Sequence, residues 1–231
     1  MLVNELFYSA QGEGIHQGIP TVFVRLQGCN LYPETPCRWC DTGYALDEGY
    51  GRFMSTQEIL DAIVKAQPRT YRSWVCLTGG EPLFQEDGLH ELVKGLNKYG
   101  FCTEVFTNAT LPRPTWWTKV DSWVADIKCP SSGVVGQLEV DWLDGRVSDQ
   151  TKLTVLDTDD LDFAESIIKK AATKNSTVVV SPVITMGSRL SPEEGGIPRP
   201  WLQEVVRFCL EHQVFFSLQW HKVVWGNRKG V

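Results

Sequence analysis

Apolar and polar positions alternate along the chain in two rhythms, a short β-type run followed by a helical repeat. Residues 21–26 (TVFVRL) form a β-branched and aromatic run that stops at Gln27-Gly28-Cys29-Asn30, where Gly and Asn favour a turn. Ser55-Thr56-Gln57-Glu58 has the capping-box pattern, and Ile59, Leu60, Ile63 and Val64 follow on one helical face. A second strand is predicted at 74–77, broken by Thr78-Gly79-Gly80-Glu81-Pro82. Behind it, Leu89, Leu92, Val93 and Leu96 repeat at helical spacing. The pattern continues with strands at 101–107, 122–127, more weakly 152–155, then 177–183 and 214–219. Helices are predicted at 162–173 and 201–212. No element is predicted ahead of residue 21.

Strands and helices in this order predict an α/β fold, a mostly parallel sheet with helices outside it. Right-handed crossovers close such units into a full or partial TIM-like (β/α) barrel, whose functional groups sit in loops at the strand C-termini. Two loops fit that expectation, the cysteine-bearing loop after 21–26 and the Gly-Gly-Glu-Pro loop. The stretches 41–53 and 130–150 carry Gly and Ser without periodicity and predict decorations rather than linkers. A length of 231 residues, against about 150 per domain, then gives one domain, 1–231.

Composition narrows the class of function. With 42% hydrophobic and 11% aromatic residues the chain is ordinary globular material and not mostly disordered. A net charge of −6 argues against nucleic acid or an anionic membrane as partner, since phosphate neutralisation needs clustered cations. No apolar run approaches a membrane span, and the N-terminal residues have neither a basic region nor an apolar signal core. The expectation is a soluble cytoplasmic protein. Seven cysteines are too few and too odd in number for a disulfide scaffold, so clustered ones read as metal ligands or redox groups.

Cys29, Cys37 and Cys40 lie within twelve residues of turn-rich chain. A C-x-x-C step lets one turn bring two sulfurs to one metal or cluster. Three thiols without a local fourth suit a four-iron cluster with one iron left open. Zinc is the second reading and needs a fourth ligand such as His16 or Asp41, and coincidence is the third. Cys76, Cys102 and Cys209 occupy apolar positions and read as small buried hydrophobes, while Cys129 follows a strand end. Neither G-x-S-x-G, H-E-x-x-H nor a P-loop occurs.

Cys-x7-Cys-x2-Cys after the first predicted strand, with Trp39 before the third cysteine, resembles the radical S-adenosylmethionine (SAM) superfamily. Gly79-Gly80-Glu81-Pro82 is similar to that superfamily's second motif, although the superfamily usually spaces its first two cysteines by three residues. A narrower resemblance runs along nearly the whole chain, to the 7-carboxy-7-deazaguanine synthase family. It rests on residues 7–14 (FYSAQGEG), 23–30 (FVRLQGCN), 39–42 (WCDT), 126–133 (DIKCPSSG) and 219–222 (QWHK).

The resemblance implies a radical SAM lyase with a 4Fe-4S cluster, SAM and Mg2+. It implies conversion of 6-carboxy-5,6,7,8-tetrahydropterin to 7-carboxy-7-deazaguanine with loss of ammonia, toward queuosine and related 7-deazapurines. The cluster would supply an electron to SAM, and the resulting radical would abstract the unactivated hydrogen. By the same resemblance Cys29, Cys37 and Cys40 hold the cluster and Thr42 holds magnesium. Trp39, Cys40, Asp41, Gly80, Asp126, Ile127, Lys128, Ser181, Pro182, Val183 and Ile184 contact SAM. Ala10, Gln11, Gly12, Arg25 and Thr78 meet the pterin. A homodimer and a flavodoxin-like electron-donating reductase are the implied partners.

The residues alone leave several of these roles open. Arg25 reads either as a structural ion-pair partner or as a bidentate carboxylate binder. Residues 11–14 read as a mobile turn or as glycines admitting a flat heterocycle. Asp126 and Lys128 read as a strand-end ion pair or as ligand contacts, and Thr42 as a turn hydroxyl. A glycyl-radical activating enzyme would share the cluster and SAM motifs, and a zinc-binding interaction module is the non-enzymatic alternative.

Overall fold

The structure is a computed structural model describing residues 1–68, 73–134, 136, 138–171, 174–184, 199–226 and 228–231. Its strands are β1 (Leu2–Ala10), β2 (Pro20–Leu26), β3 (Arg52–Phe53), β4 (Trp74–Gly79), β5 (Thr103–Thr107), β6 (Ser122–Ile127), β7 (Gln150–Val155), β8 (Thr177–Pro182) and β9 (Phe215–Phe216). The α-helices are α1 (Thr56–Ala66), α2 (Glu86–Tyr99), α3 (Thr158–Ala171), α4 (Arg199–His212) and α5 (Trp220–Trp225).

The strands make one sheet in the order β3-β1-β2-β4-β5-β6-β7-β8-β9. From β2 to β9 every neighbouring pair is parallel, while β1 runs antiparallel to both β2 and β3. The sheet ends at β3 and β9, so the barrel is partial, as the strand–helix alternation predicts.

Period-2 alternation sorts the strand residues onto two faces. Val22, Val24 and Leu26 of β2, Val75 and Leu77 of β4, and Leu153 and Val155 of β7 are fully buried in the main core. They share it with Ile59 and Ile63 of α1 and Leu89, Leu92 and Leu96 of α2. Their neighbours Arg25, Cys76, Thr78, Lys152 and Thr154 face a cavity inside the partial barrel. That polar inner face explains why the strands lack the continuous apolar runs of a sheet buried on both sides.

Helix signals hold closely. Ser55 and Glu58 form the capping box of α1, and Gly100, at φ 72°, ends α2 in the left-handed conformation that glycine adopts without cost. Helix α3 starts four residues before the predicted position, because the Asp157 side chain accepts from the Asp160 backbone N–H at 3.0 Å. The predicted last two residues of that helix, 172 and 173, lie outside the described residues.

Three expectations are corrected. Residues 2–10 form β1, a strand their hydrophobic pattern does not predict, since inward and outward residues do not alternate cleanly in hydrophobicity. The predicted strand 214–219 is only Phe215–Phe216. Ser217 instead receives the Gly14 N–H at 2.8 Å, Gln219 reaches Glu13, and α5 begins at once. Cys102 is exposed, not buried, because β5 begins after it at Thr103.

Candidate active site

The cysteine loop leaves the C-terminal end of β2. Its first turn sits on Gly28, at φ 97°, with Gly28 N–H donating to the Ala45 carbonyl at 2.8 Å and Cys29 N–H to Leu46 at 3.2 Å. The seven residues between Cys29 and Cys37 fold back on themselves, Tyr32 N–H to Cys29 O at 3.1 Å and Thr35 N–H to Leu31 O at 2.8 Å. Cys40 N–H then bonds Cys37 O at 3.2 Å, closing the C-x-x-C turn. The long spacer is thus taken up in turns, and all three cysteines line the same cavity. Burial pushes the Cys29 thiol up to about 11 and raises that of Cys37, so metal binding must displace their protons.

The Gly-Gly-Glu-Pro loop packs backbone to backbone on that turn. Gly80 N–H donates to Leu26 O at 3.1 Å and Glu81 N–H to Gly28 O at 2.8 Å. A Cβ on Gly80 would fall on the Gly28 carbonyl, so this glycine serves the contact between the two loops as well as the cavity it borders. Glu81 is fully buried. Its carboxylate accepts from Leu83 N–H at 3.0 Å and Asn108 N–H at 2.6 Å, and burial nevertheless pushes its pKa up to about 7.

Paired charges ring the cavity. Asp126 Oδ2 lies 3.1 Å from Lys128 Nζ and 3.6 Å from Lys152 Nζ, and Lys152 also meets Glu13 Oε2 at 2.8 Å. Burial opposes ionisation of both Asp126 and Lys128, but their mutual attraction prevails, lowering the first pKa and raising the second. Arg25 Nε donates to Glu5 Oε1 at 2.7 Å, and the Tyr44 hydroxyl donates to the same oxygen at 3.0 Å. Asp41 pairs with Lys222 at 2.6 Å. Two buried oxygens on cavity residues, Asp126 Oδ1 and Thr154 Oγ1, have no hydrogen-bond partner among the described residues. Such groups are costly unless a ligand meets them.

The cavity brings together Ala10, Gln11, Gly12, Arg25, Cys29, Cys37, Trp39, Cys40, Asp41, Thr42, Thr78, Gly80, Asp126, Lys128 and Val183. Four of the expected residues do not reach it with their side chains. Ile127 points into the main core, and Ser181, Pro182 and Ile184 are buried beside the cavity without lining it. Ser181 pairs in register with Thr154, and its Oγ is likewise buried without a partner.

The Gln11 side chain turns away to donate to Glu104 at 2.5 Å, and its backbone is tied down as well, N–H to Ile19 O at 2.8 Å and carbonyl to Gly18 N–H at 2.8 Å and Trp220 Nε1 at 3.1 Å. Gly12 has no room for a Cβ because the His221 ring occupies that space. Asp126 and Lys128 do form the strand-end ion pair, and both residues line the cavity.

Glu5, Glu13, Lys152, Gln219, His221 and Lys222 also line the site. Of these, Lys152 had a signal in the sequence: a cation in the middle of a strand, two residues from Thr154, marks the inner face.

Three thiols border one cavity, and a four-iron cluster takes each thiolate on a different iron with one iron left without a protein ligand, so the donor set fits such a cluster.

The fold and this donor set define a radical SAM protein, and the Radical SAM superfamily pattern matches residues 23–128. The chain is 33% identical to the 7-carboxy-7-deazaguanine synthase of Koribacter versatilis (strain Ellin345) over the full length of both. It is 37% identical to that of Methanospirillum hungatei over 79% of this chain and 73% of that one. The fold is similar to the crystal structure of QueE from Escherichia coli, with a TM-score of 0.70 at 21% identity, covering 94% and 92% of the two chains. The chain belongs to the 7-carboxy-7-deazaguanine synthase family. Neither the glycyl-radical activating enzyme nor the zinc module is favoured.

Proposed function

We propose that the protein is a radical SAM lyase that converts 6-carboxy-5,6,7,8-tetrahydropterin to 7-carboxy-7-deazaguanine with release of ammonia, in queuosine and 7-deazapurine biosynthesis. The observation that carries this reading is the shared cavity: three cysteines, the glycine loop and a half-buried arginine meet at one end of the parallel strands.

Cys29, Cys37 and Cys40 hold the 4Fe-4S cluster. Trp39, Cys40, Asp41, Gly80, Asp126–Lys128 and Ser181–Ile184 hold SAM, with Ile127, Ser181, Pro182 and Ile184 acting through backbone or from below. The unpartnered oxygens of Asp126, Thr154 and Ser181 are supporting evidence for a polar ligand on that side. When bound, these groups supply hydrogen-atom abstraction.

The protein's own work is positioning and exclusion of water. Arg25, held through Nε by Glu5, presents its two terminal nitrogens to the substrate carboxylate. Ala10, Gln11 and Gly12, with Thr78, pack against the rings. Thr42 would give its hydroxyl to Mg2+, a hard cation that takes oxygen ligands.

The protein acts as a single-domain homodimer in the cytoplasm and takes electrons from a flavodoxin-like reductase. No helix among the described residues is long and apolar enough to cross a membrane.

The test is anaerobic reconstitution with iron and sulfide, then incubation with dithionite, SAM and the carboxytetrahydropterin. Product identified by mass spectrometry is expected, with about four irons per chain, and Cys→Ala at any of the three positions abolishing the cluster. Tight stoichiometric zinc with no iron uptake, or a loaded enzyme that never forms product, would overturn the reading.

A further inference from the structure

Asn108, just past the end of β5, is buried at 8% exposure on the cavity wall and belongs to none of the roles above. Its amide is held at both ends. Oδ1 accepts from the Thr110 backbone N–H at 3.0 Å and from the Thr110 hydroxyl at 2.7 Å, which fixes the oxygen on that side. Nδ2 therefore faces the other way, donating to Asn30 Oδ1 at 2.9 Å and to Cys29 Sγ at 3.9 Å. The backbone beneath it is equally constrained, with Asn108 N–H on Glu81 at 2.6 Å. The next residue, Ala109, is buried in the left-handed region at φ 57°, a conformation that costs a non-glycine residue and persists only where surroundings impose it. Asn30 in turn donates to Thr110 Oγ1 at 2.9 Å, closing a ring between the two loops.

A clamp between loops needs only the Asn30 bond. The second amide hydrogen goes to sulfur.

We infer that Asn108 is a positioning residue for the redox centre, its side-chain N–H donating to the Cys29 sulfur and raising the cluster's reduction potential. The inference rests on the cluster assignment of the proposed function. Reduction adds one electron to the cluster and increases the negative charge on its sulfur ligands. A donor aimed at one of them stabilises the reduced form more than the oxidised one, and hydrogen bonds to the sulfurs are a recognised determinant of potential. The arrangement spans three strand ends: Cys29 follows β2, Glu81 follows β4 and Asn108 follows β5.

The test compares wild type, Asn108→Leu and Asn108→Asp, each reconstituted anaerobically and titrated with dithionite and mediators while the reduced-cluster EPR signal is followed. Asn108→Leu keeps similar bulk and removes the donor, so its midpoint should move to more negative potential. A fall of about tenfold in the reduced-to-oxidised ratio at fixed solution potential corresponds to about 59 mV for one electron. Asn108→Asp, which turns a carboxylate oxygen toward the sulfur, should shift it at least as far. Iron content should stay at the wild-type level. An unchanged midpoint in a loaded variant overturns the inference. Loss of the cluster from both variants also overturns it, by making Asn108 a residue of cluster retention. A wild-type protein without a four-iron signal refutes the proposed function itself, and the two failures are distinguishable in one experiment.

Discussion

Lys222 Nζ lies 2.6 Å from Asp41 Oδ2, so helix α5 near one end of the chain is tied to the residue that follows the third cysteine. Burial works to raise the Asp41 pKa, and the ammonium beside it overrides this, holding the carboxyl at about 2 against an ordinary 3.8. A depressed carboxyl pKa stabilises the fold at every pH above the unfolded value. The stabilisation is lost as pH falls from about 4 to about 2, because the unfolded chain takes up its proton first. With the Asp41 side chain 35% exposed, solvent screening reduces the contribution to about 1 kcal/mol. Lys222→Met should remove it. Urea unfolding of the metal-free protein should show the difference between wild type and variant at pH 6 and its disappearance near pH 2. A difference that does not depend on pH would show that the pair contributes only packing.

Gly80→Ala should destabilise the cysteine turn as well as the glycine loop. The added Cβ meets the Gly28 and Ala45 carbonyls, backbone atoms that cannot swing aside. Forced overpacking costs about 1–3 kcal/mol, sometimes more. A lower urea midpoint together with reduced iron uptake is expected. A variant with wild-type stability and full iron, impaired only in SAM binding, would show that the loops yield.

Arg25→Ala should lose about 2–5 kcal/mol of substrate affinity, the usual cost of removing one partner of a desolvated charge pair. Arg25→Lys should restore little, because an ammonium cannot bond Glu5 and a substrate carboxylate through one planar fork. Anaerobic equilibrium binding of the carboxypterin measures both. Equal affinities in wild type and Arg25→Ala would leave Arg25 as the structural partner of Glu5 and move the substrate elsewhere.

Thr42→Ala should make turnover less responsive to added magnesium while leaving iron content unchanged. The Thr42 hydroxyl lies 3.6 Å from Cys40 Sγ and is one of the oxygens lining the cavity. A magnesium titration of the variant that overlays the wild-type curve would remove Thr42 as a ligand.

What the sequence by itself determined were the features carried by local rules. The capping box at Ser55–Glu58, the strand 122–127 and the breaks at Gly28 and Gly79-Gly80 depend on neighbours within a few residues. The alternation of strands and helices was enough for a parallel α/β barrel, and clustered cysteines were enough to nominate a metal or cluster site. Long-range packing decided the rest. Strand β1 exists because residues 2–10 pair with β2 and β3, and its own pattern does not announce it. The charges that border the site come from distant parts of the chain: Glu13 meets Lys152, and Asp41 meets Lys222. Nothing in the sequence couples such positions, because their attraction is realised only once the fold brings them around one cavity, away from bulk water. The same holds for Asn108 and Cys29, 79 residues apart in sequence, whose contact exists only because the sheet brings the loops after β2 and β5 together past β4.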